Sequence, residues 1–383
     1  MAKIKIKATP EQKNLFALMA SDNKDEAYDA QYAFATQFAG PAIKRVLTQA
    51  VVIGSLYEDL PLSENEPQSL PLDLFSDIED QDYYRVVGMT SAGGLPTNLD
   101  YGQEEVFFHT FNLESFVSVS KKYIKASRLD VIGKMLTRMA NEIIVKKEVN
   151  LAAPMLYALA NAETNNLQHV IRAKRNDEIL LDDFVNLMLR ASRLRTSYVG
   201  GGTPANDTSR GVTDLIVSPE TVARLRRIAY NPMNTTIGVK ADSATAEAAT
   251  AVAAPEELRM STYRSAGIPT FYDVNIIESK EFGNGFKFNA LFDKFADATE
   301  YSQIDGSGDA AFNNDDEIIV GLDRSMDALL SPVITDSGTG KDLKVLPDDQ
   351  FVSRSEKIGM YGKVQLGALV TDDRSLSGLI VRK

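Results

Sequence analysis

The sharpest hydrophobic periodicity in the chain runs from Leu129 to Ile143, where Leu129, Ile132, Leu136, Met139 and Ile143 recur at alternating spacings of three and four. Those spacings line one face of a helix, while Arg138, Glu142 and Lys146 repeat every four on another. Pro154 interrupts the continuation into "MLYALANAE", which predicts a long helix that kinks or restarts there. A second helix, "DDFVNLMLRASRLR", starts at Asp182 or Asp183, acids suited to capping, with Phe184, Leu187, Met188 and Leu194 as its buried side.

Upstream, the pattern is that of an arm. A short basic strand, "KIKIK", precedes helical patches over Glu11 to Ala20 and Lys24 to Ala39, and "AGP" at Ala39 to Pro41 is read as a break before a further helix up to about Leu56. Pro61, Pro67 and Pro71 then recur among acids and serines, which predicts an extended crossing segment in place of regular structure. From Tyr83 to Ser120 the β-branched and aromatic runs "DYYRVVGMT", "EEVFFHTF" and "SFVSVS", with turn formers in "SAGGLPTNLDYG", predict a long two-stranded ribbon with a flexible tip. Such a ribbon is marginal alone and needs something to lie against.

Downstream, "GGGTPANDTSRG" reads as a hinge. The strand "DLIVS" follows, then the helix "PETVARLRRI", an alanine-rich stretch from Ala244 to Ala254 and the strand "PTFYDVNIIES". A loop rich in Gly, Asp and Asn leads to the strand "EIIVGL" and the apolar run "DALLSPVI". The tail, "EKIGMYGKVQLGALVTDDRSLSGLIVRK", reads as strands returning after an inserted region. At 383 residues this is an α+β chain of at least two packed units.

Composition narrows the function classes. The 44% apolar and 25% charged fractions belong to an ordinary folded protein. The absence of cysteine excludes disulfide staples, thiolate metal sites and cysteine nucleophiles, and no stretch is long and uncharged enough to span a bilayer. A net charge of -12 argues against a broad nucleic-acid grip. The charge is also unevenly spread: from Leu56 to Tyr84 there are only acids, among them Glu58, Asp59, Asp73 and Asp80, whereas from Lys121 to Arg227 the balance is positive. That asymmetry suggests surfaces that meet within or between copies, or else two unrelated solvated faces.

Candidate chemistry is sparse. His109 and His169 have no second histidine or carboxylate at ligand spacing, and are read as packed or surface side chains. "SGTGK" at Ser337 to Lys341 lacks the first glycine of a phosphate loop, and "GGGTP" follows a helix where a dinucleotide site would follow a strand. The acidic loop Asp305 to Glu317 offers oxygen ligands for calcium without the alternation of an EF-hand, so a solvated loop is the preferred reading. Asp182 with Asp183, and Asp372 with Asp373, are read as caps of a helix and a turn. Ser218, before Pro219, has no base or glycine elbow and is read as a helix cap. No catalytic, cofactor-binding or metal residue is assigned, no cofactor is expected, and the chain is not read as an enzyme.

The order of these elements resembles the major capsid proteins of tailed bacteriophages, the Hong Kong ninety-seven-type fold. "DLIVSPETVARLRRI" looks like that family's strand-then-helix segment in the axial domain, and "AGIPTFYDVNII" like its glycine-then-strand segment. The resemblance implies an amino-terminal arm over residues 1–80, an extended β-ribbon loop over 81–122, a peripheral domain with a spine helix over 123–212, an axial domain over 213–345 and return strands of the peripheral domain over 346–383. It further implies self-assembly in rings of five and six into an icosahedral head around double-stranded DNA contacted weakly, with separate scaffolding, portal and decoration proteins and no membrane. The protein would be made in the host cytoplasm and located in the virion. Some members cross-link through a ribbon lysine; none stands between Arg85 and Lys121 here, so noncovalent shells are expected. Two alternatives stay open: a cellular nanocompartment shell of encapsulin-like architecture, and a metal-dependent soluble enzyme using the Asp305 to Glu317 loop.

Overall fold

The computed structural model describes residues 10–21, 23–63, 66–72, 104–125, 129–164, 167–176, 178–194, 211–230, 270–271, 274–298, 312–335, 342–348 and 357–383. The basic strand at 3–7, most of the ribbon, residues 200–210 of the hinge, the alanine-rich stretch and "SGTGK" lie outside them. Two compact units are formed, one from residues 1–70, 107–154 and 329–369, the other from 71–106, 155–328 and 370–383.

The first unit opens with helices α1 (Pro10–Met19), α2 (Lys24–Phe34) and α3 (Gly40–Ala50). The expected break at Ala39 to Pro41 does not occur. A π-helical turn, Ala35–Ala39, joins α2 to α3, and Pro41 stands in the first turn of α3. The first turn tolerates proline because its N–H has no intrahelical partner to lose. The α3 helix also ends at Ala50, before a short 3₁₀ turn at Ile53–Ser55.

The proline-rich segment is more regular than its composition suggests. Strand β1 (Glu58–Ser63) runs parallel to Leu329–Thr335, with Pro61 opposite Val333, and it is the terminal strand of its sheet. An edge strand has one side that owes no hydrogen bond, which is where a strand accepts proline. Strand β2 (Ser69–Leu72) pairs with β3 (Glu104–Phe107), so the described stem of the ribbon begins well before Tyr83.

Strand β4 (Phe111–Ser120) leads into a short helix α4 (Lys121–Lys125) and then the long α5 (Leu129–Asn161). The long helix of 33 residues neither restarts nor breaks at Pro154, and the division between the two units falls at that proline. The buried stripe Ile132, Leu136, Met139 and Ile143 is the one its periodicity indicates. Met139 Sδ would meet a Cβ at Gly362 at 3.0 Å, so a glycine there lets the helix approach the sheet closely.

After the short strands β5 (Glu163–Thr164), β6 (Leu167–Gln168) and β7 (Val170–Arg172), the second unit continues with α6 (Leu181–Leu194), β8 (Asp214–Val217) and α7 (Pro219–Tyr230). Strands β9 (Thr270–Phe271) and β10 (Val274–Glu278) precede helix α8 (Lys287–Ala298) and strand β11 (Glu317–Leu322). The α8 helix lies where a loop is expected. Its Phe288, Phe292 and Ala296, spaced by four, are all buried.

The chain closes with β12 (Leu329–Thr335), β13 (Leu343–Asp348), β14 (Lys357–Leu366), β15 (Leu369–Val370) and β16 (Leu376–Val381). In the first unit β14 is antiparallel to β4 on one side and to β13 on the other, and joins β12 at Val333↔Leu366. In the second unit the order is β7-β16-β11-β8-β10-β9, with β8 and β10 parallel and β11 antiparallel to both β16 and β8. Leu215, Val217, Ile319, Leu379 and Val381 share one core with Phe184 of α6 and Val222 of α7. The intervening Ile216, Ile318, Val320 and Ile380 are equally buried, so both faces of this sheet are covered.

Candidate functional site

The turn after Val217 is built as a helix start. Ser218 Oγ accepts the Thr221 N–H at 3.0 Å, the N-cap bond expected when serine precedes a first-turn proline. Both hydroxyls, of Ser218 and Thr221, donate to Oε1 of Glu317, at the start of β11, and Arg224 Nη1 donates to Oε2 at 3.1 Å. Ser218 and Thr221 are fully buried and the Glu317 side chain is 9% exposed. A carboxylate at the positive end of a helix, saturated by donors, clamps the helix onto the sheet. Among the described residues the side chains bonded to Ser218 are those of Thr221 and Glu317, which fits its reading as a helix cap.

Of the other acids expected as caps, Asp183 and Asp372 do that work. Asp183 is buried and accepts the Leu180 N–H at 2.9 Å and the Lys174 N–H at 3.2 Å; α6 begins at Leu181, so Asp183 reaches back from its third position. Asp182 pairs with Lys174 at the surface. Asp372 accepts the Arg374 N–H at 2.9 Å and holds its guanidinium through Nη2 at 2.8 Å, closing a 3₁₀ turn at Asp373–Ser375.

The two histidines differ. His109 is exposed between β3 and β4. His169 is fully buried, with Nδ1 at 3.1 Å from the Asp373 carbonyl and 3.0 Å from the Leu376 carbonyl. Two acceptors against one nitrogen select the tautomer protonated at Nδ1. Burial holds this imidazole below the ordinary value of 6.5, against the opposing pull of the Asp373 carboxylate and the carbonyls.

Of the acidic loop, residues 312–317 are described. Asp316 is buried: Oδ2 accepts the Asn313 N–H at 3.1 Å and Oδ1 the Lys383 N–H at 3.3 Å. With Glu317 in the helix clamp, two of the loop's acids are spent on internal bonds. Among the described residues no group of three or more His, Asp or Glu side chains is placed to hold a metal ion.

Two further anchors are on α5. Glu148 accepts the Val52 N–H at 2.6 Å and the Ile53 N–H at 3.0 Å, and burial raises its carboxyl above the ordinary value despite those bonds. Tyr57 donates to the Leu151 carbonyl at 2.7 Å, and burial raises its phenol. A lone acid on the apolar side of α5, between Ile144 and Leu151, is the signal that marks Glu148 in the sequence.

Several large apolar side chains also remain uncovered. In the first unit Leu18, Tyr28 and Tyr32 on the amino-terminal helices, Tyr123 on α4 and Leu346 on β13 are 40–47% exposed, and Phe107 on the ribbon stem is 73% exposed. Among the described residues these surfaces are the candidate functional feature; a polar recess is also present, lined by Asn313, Asn314, Asp315, Asp316, Arg382 and Lys383.

No protein-family model and no curated protein matches the chain. Several solved structures are similar to it. The capsid of the Cyanophage P-SCSP1u is 14% identical, with 86% of this chain and 87% of that chain covered, at a TM-score of 0.47. The head structure of Helicobacter pylori bacteriophage KHP40 is 11% identical, over 85% of this chain and 86% of that chain, at 0.46. The holo-SrpI encapsulin complex from Synechococcus elongatus is 13% identical, over 85% of each chain, at 0.44.

Proposed function

We propose that this chain is a shell protein, a major capsid protein that assembles with copies of itself into the icosahedral head enclosing double-stranded DNA. One observation carries the reading: large apolar side chains stand uncovered on separate limbs, Phe107 at 73% exposed in the first unit and Tyr157, Val185, Leu189 and Phe286 at 45–55% in the second, while strands β8, β11 and β16 are buried at every position. Large apolar side chains spread over limbs, with a sound core beneath, are the mark of surfaces that a partner completes. Contacts between different patches on neighbouring copies are heterologous, and they close into rings and then a shell.

In this reading the unit that holds α5 as far as Pro154 is the peripheral domain and the unit with β8 and α7 the axial domain; residues 155–212 and 370–383 then group with the axial part. The net charge of -12 suits a wall that contains DNA while binding it weakly. Scaffolding, portal and decoration proteins are separate partners, and the assembled chain belongs to the virion.

The test is assembly of the purified chain, followed by light scattering and negative-stain imaging over a range of concentration and salt. Rings or closed shells are the expected result, and boiled particles should run as monomers on a denaturing gel because no lysine stands between Arg85 and Lys121. Nuclease-protected DNA inside particles made in cells distinguishes a head from a compartment holding protein cargo. A chain that stays monomeric under every condition overturns the reading.

A further inference from the structure

The outer face of α2 carries Asp25, Tyr28, Asp29 and Tyr32 at spacings of three and four, all exposed, while Ala27, Ala30, Gln31 and Phe34 bury the opposite face. Among the described residues no ion pair engages Asp25 or Asp29. Helix α4, in the same unit, has the opposite character: Ile124 is buried, and Lys122, Tyr123 and Lys125 are exposed. Each patch is aromatic, and the two have opposite charge. Like patches brought together by a two-fold axis would set acid against acid or base against base, so neither suits contact with its own kind.

We infer that the α2 face of one copy docks on the α4 face of the next, lysine ammonium groups lying over tyrosine rings and against the aspartates. The contact is head-to-tail, so each copy offers both halves and the pairing propagates around a ring. The inference rests on the shell reading and names one of its interfaces. Its electrostatic part weakens with salt, because the groups are exposed.

Three variants test it: Asp25→Lys with Asp29→Lys, Lys122→Glu with Lys125→Glu, and all four together. Each pair alone should raise the protein concentration needed for assembly by about tenfold or more, and the fourfold variant should return to within about threefold of the wild type. Sedimentation velocity reads the assembly, and circular dichroism reports folding of each variant. Recovery in the combined variant supports the pairing, because a merely misfolded pair would not recover. Unchanged assembly in both pairs, or loss without recovery in the combination, overturns the pairing and leaves the shell reading standing; a wild-type chain that never associates overturns both.

Discussion

The two sheets of this protein are built from similar residues and finished differently. In the second unit β8, β11 and β16 are buried at every position, and their polar members, Ser218 beyond β8 and Glu317 on β11, are bonded within the protein. In the first unit β1 has no buried residue and β4 exposes Phe116, while the ribbon stem exposes Phe107. The central strands of one sheet form a closed core. The other leaves apolar area in water, at roughly 25 cal/mol for each Å² that a neighbour could cover. The difference separates strands that carry stability from strands that leave apolar area in water.

The sharpest way to break that division is to damage the closed core. Phe292→Ala removes a ring that is fully buried and stands edge-on to Phe312 at 4.9 Å. The expected loss is about 4 kcal/mol in urea unfolding followed by circular dichroism, enough to abolish folding and assembly together.

Next comes the clamp. Glu317→Ala leaves the buried hydroxyls of Ser218 and Thr221 without their acceptor and is expected to cost about 3 kcal/mol, tempered by the part-exposed Arg224. Glu317→Gln keeps the shape and should lose less. Equal losses from the two would show that the carboxylate charge, more than the bond geometry, holds the helix.

A pH titration sharpens the same contrast. His169 sits lower in the fold than its ordinary 6.5, so above that pH both folded and unfolded chains hold it neutral and its contribution is intact. As pH falls below 6.5 the unfolded chain takes the proton first, and stability is lost until pH passes the folded value. His169→Gln should flatten this part of the stability profile between wild type and variant, and an unchanged slope would remove the histidine from the account.

The smallest expected change in stability belongs to the open region. Phe107→Ser should alter unfolding by less than about 0.5 kcal/mol, since the ring is already in water, yet reduce particle formation. A large stability loss instead would mean that the stem is completed within its own chain.

Elements that read well in the sequence are those whose buried face is local. The stripe on α5, the inward side of α6 and the caps at Ser218 and Asp183 all follow from spacing within a few residues. The α8 helix was hidden because the glycines and asparagines before it suggested a loop, although Phe288 and Phe292 stood at helical spacing. Glu317 was grouped with a solvated acidic loop, since its hydroxyl partners lie far upstream in the chain.

By itself the sequence determined which stretches are amphipathic, that no thiol chemistry exists, and that opposite charges cluster in different segments. Those properties depend on composition and on neighbours a turn apart. Only the tertiary structure decided that Pro41 and Pro61 are absorbed, one by a first helical turn and the other by a sheet edge, because tolerance of a proline depends on which N–H the fold requires. The tertiary structure also decided that β2 pairs with β3 and that Glu317 meets α7. Strand partners and clamp bonds join residues distant in sequence, and the loop entropy that opposes them is overcome only when the whole core forms around them.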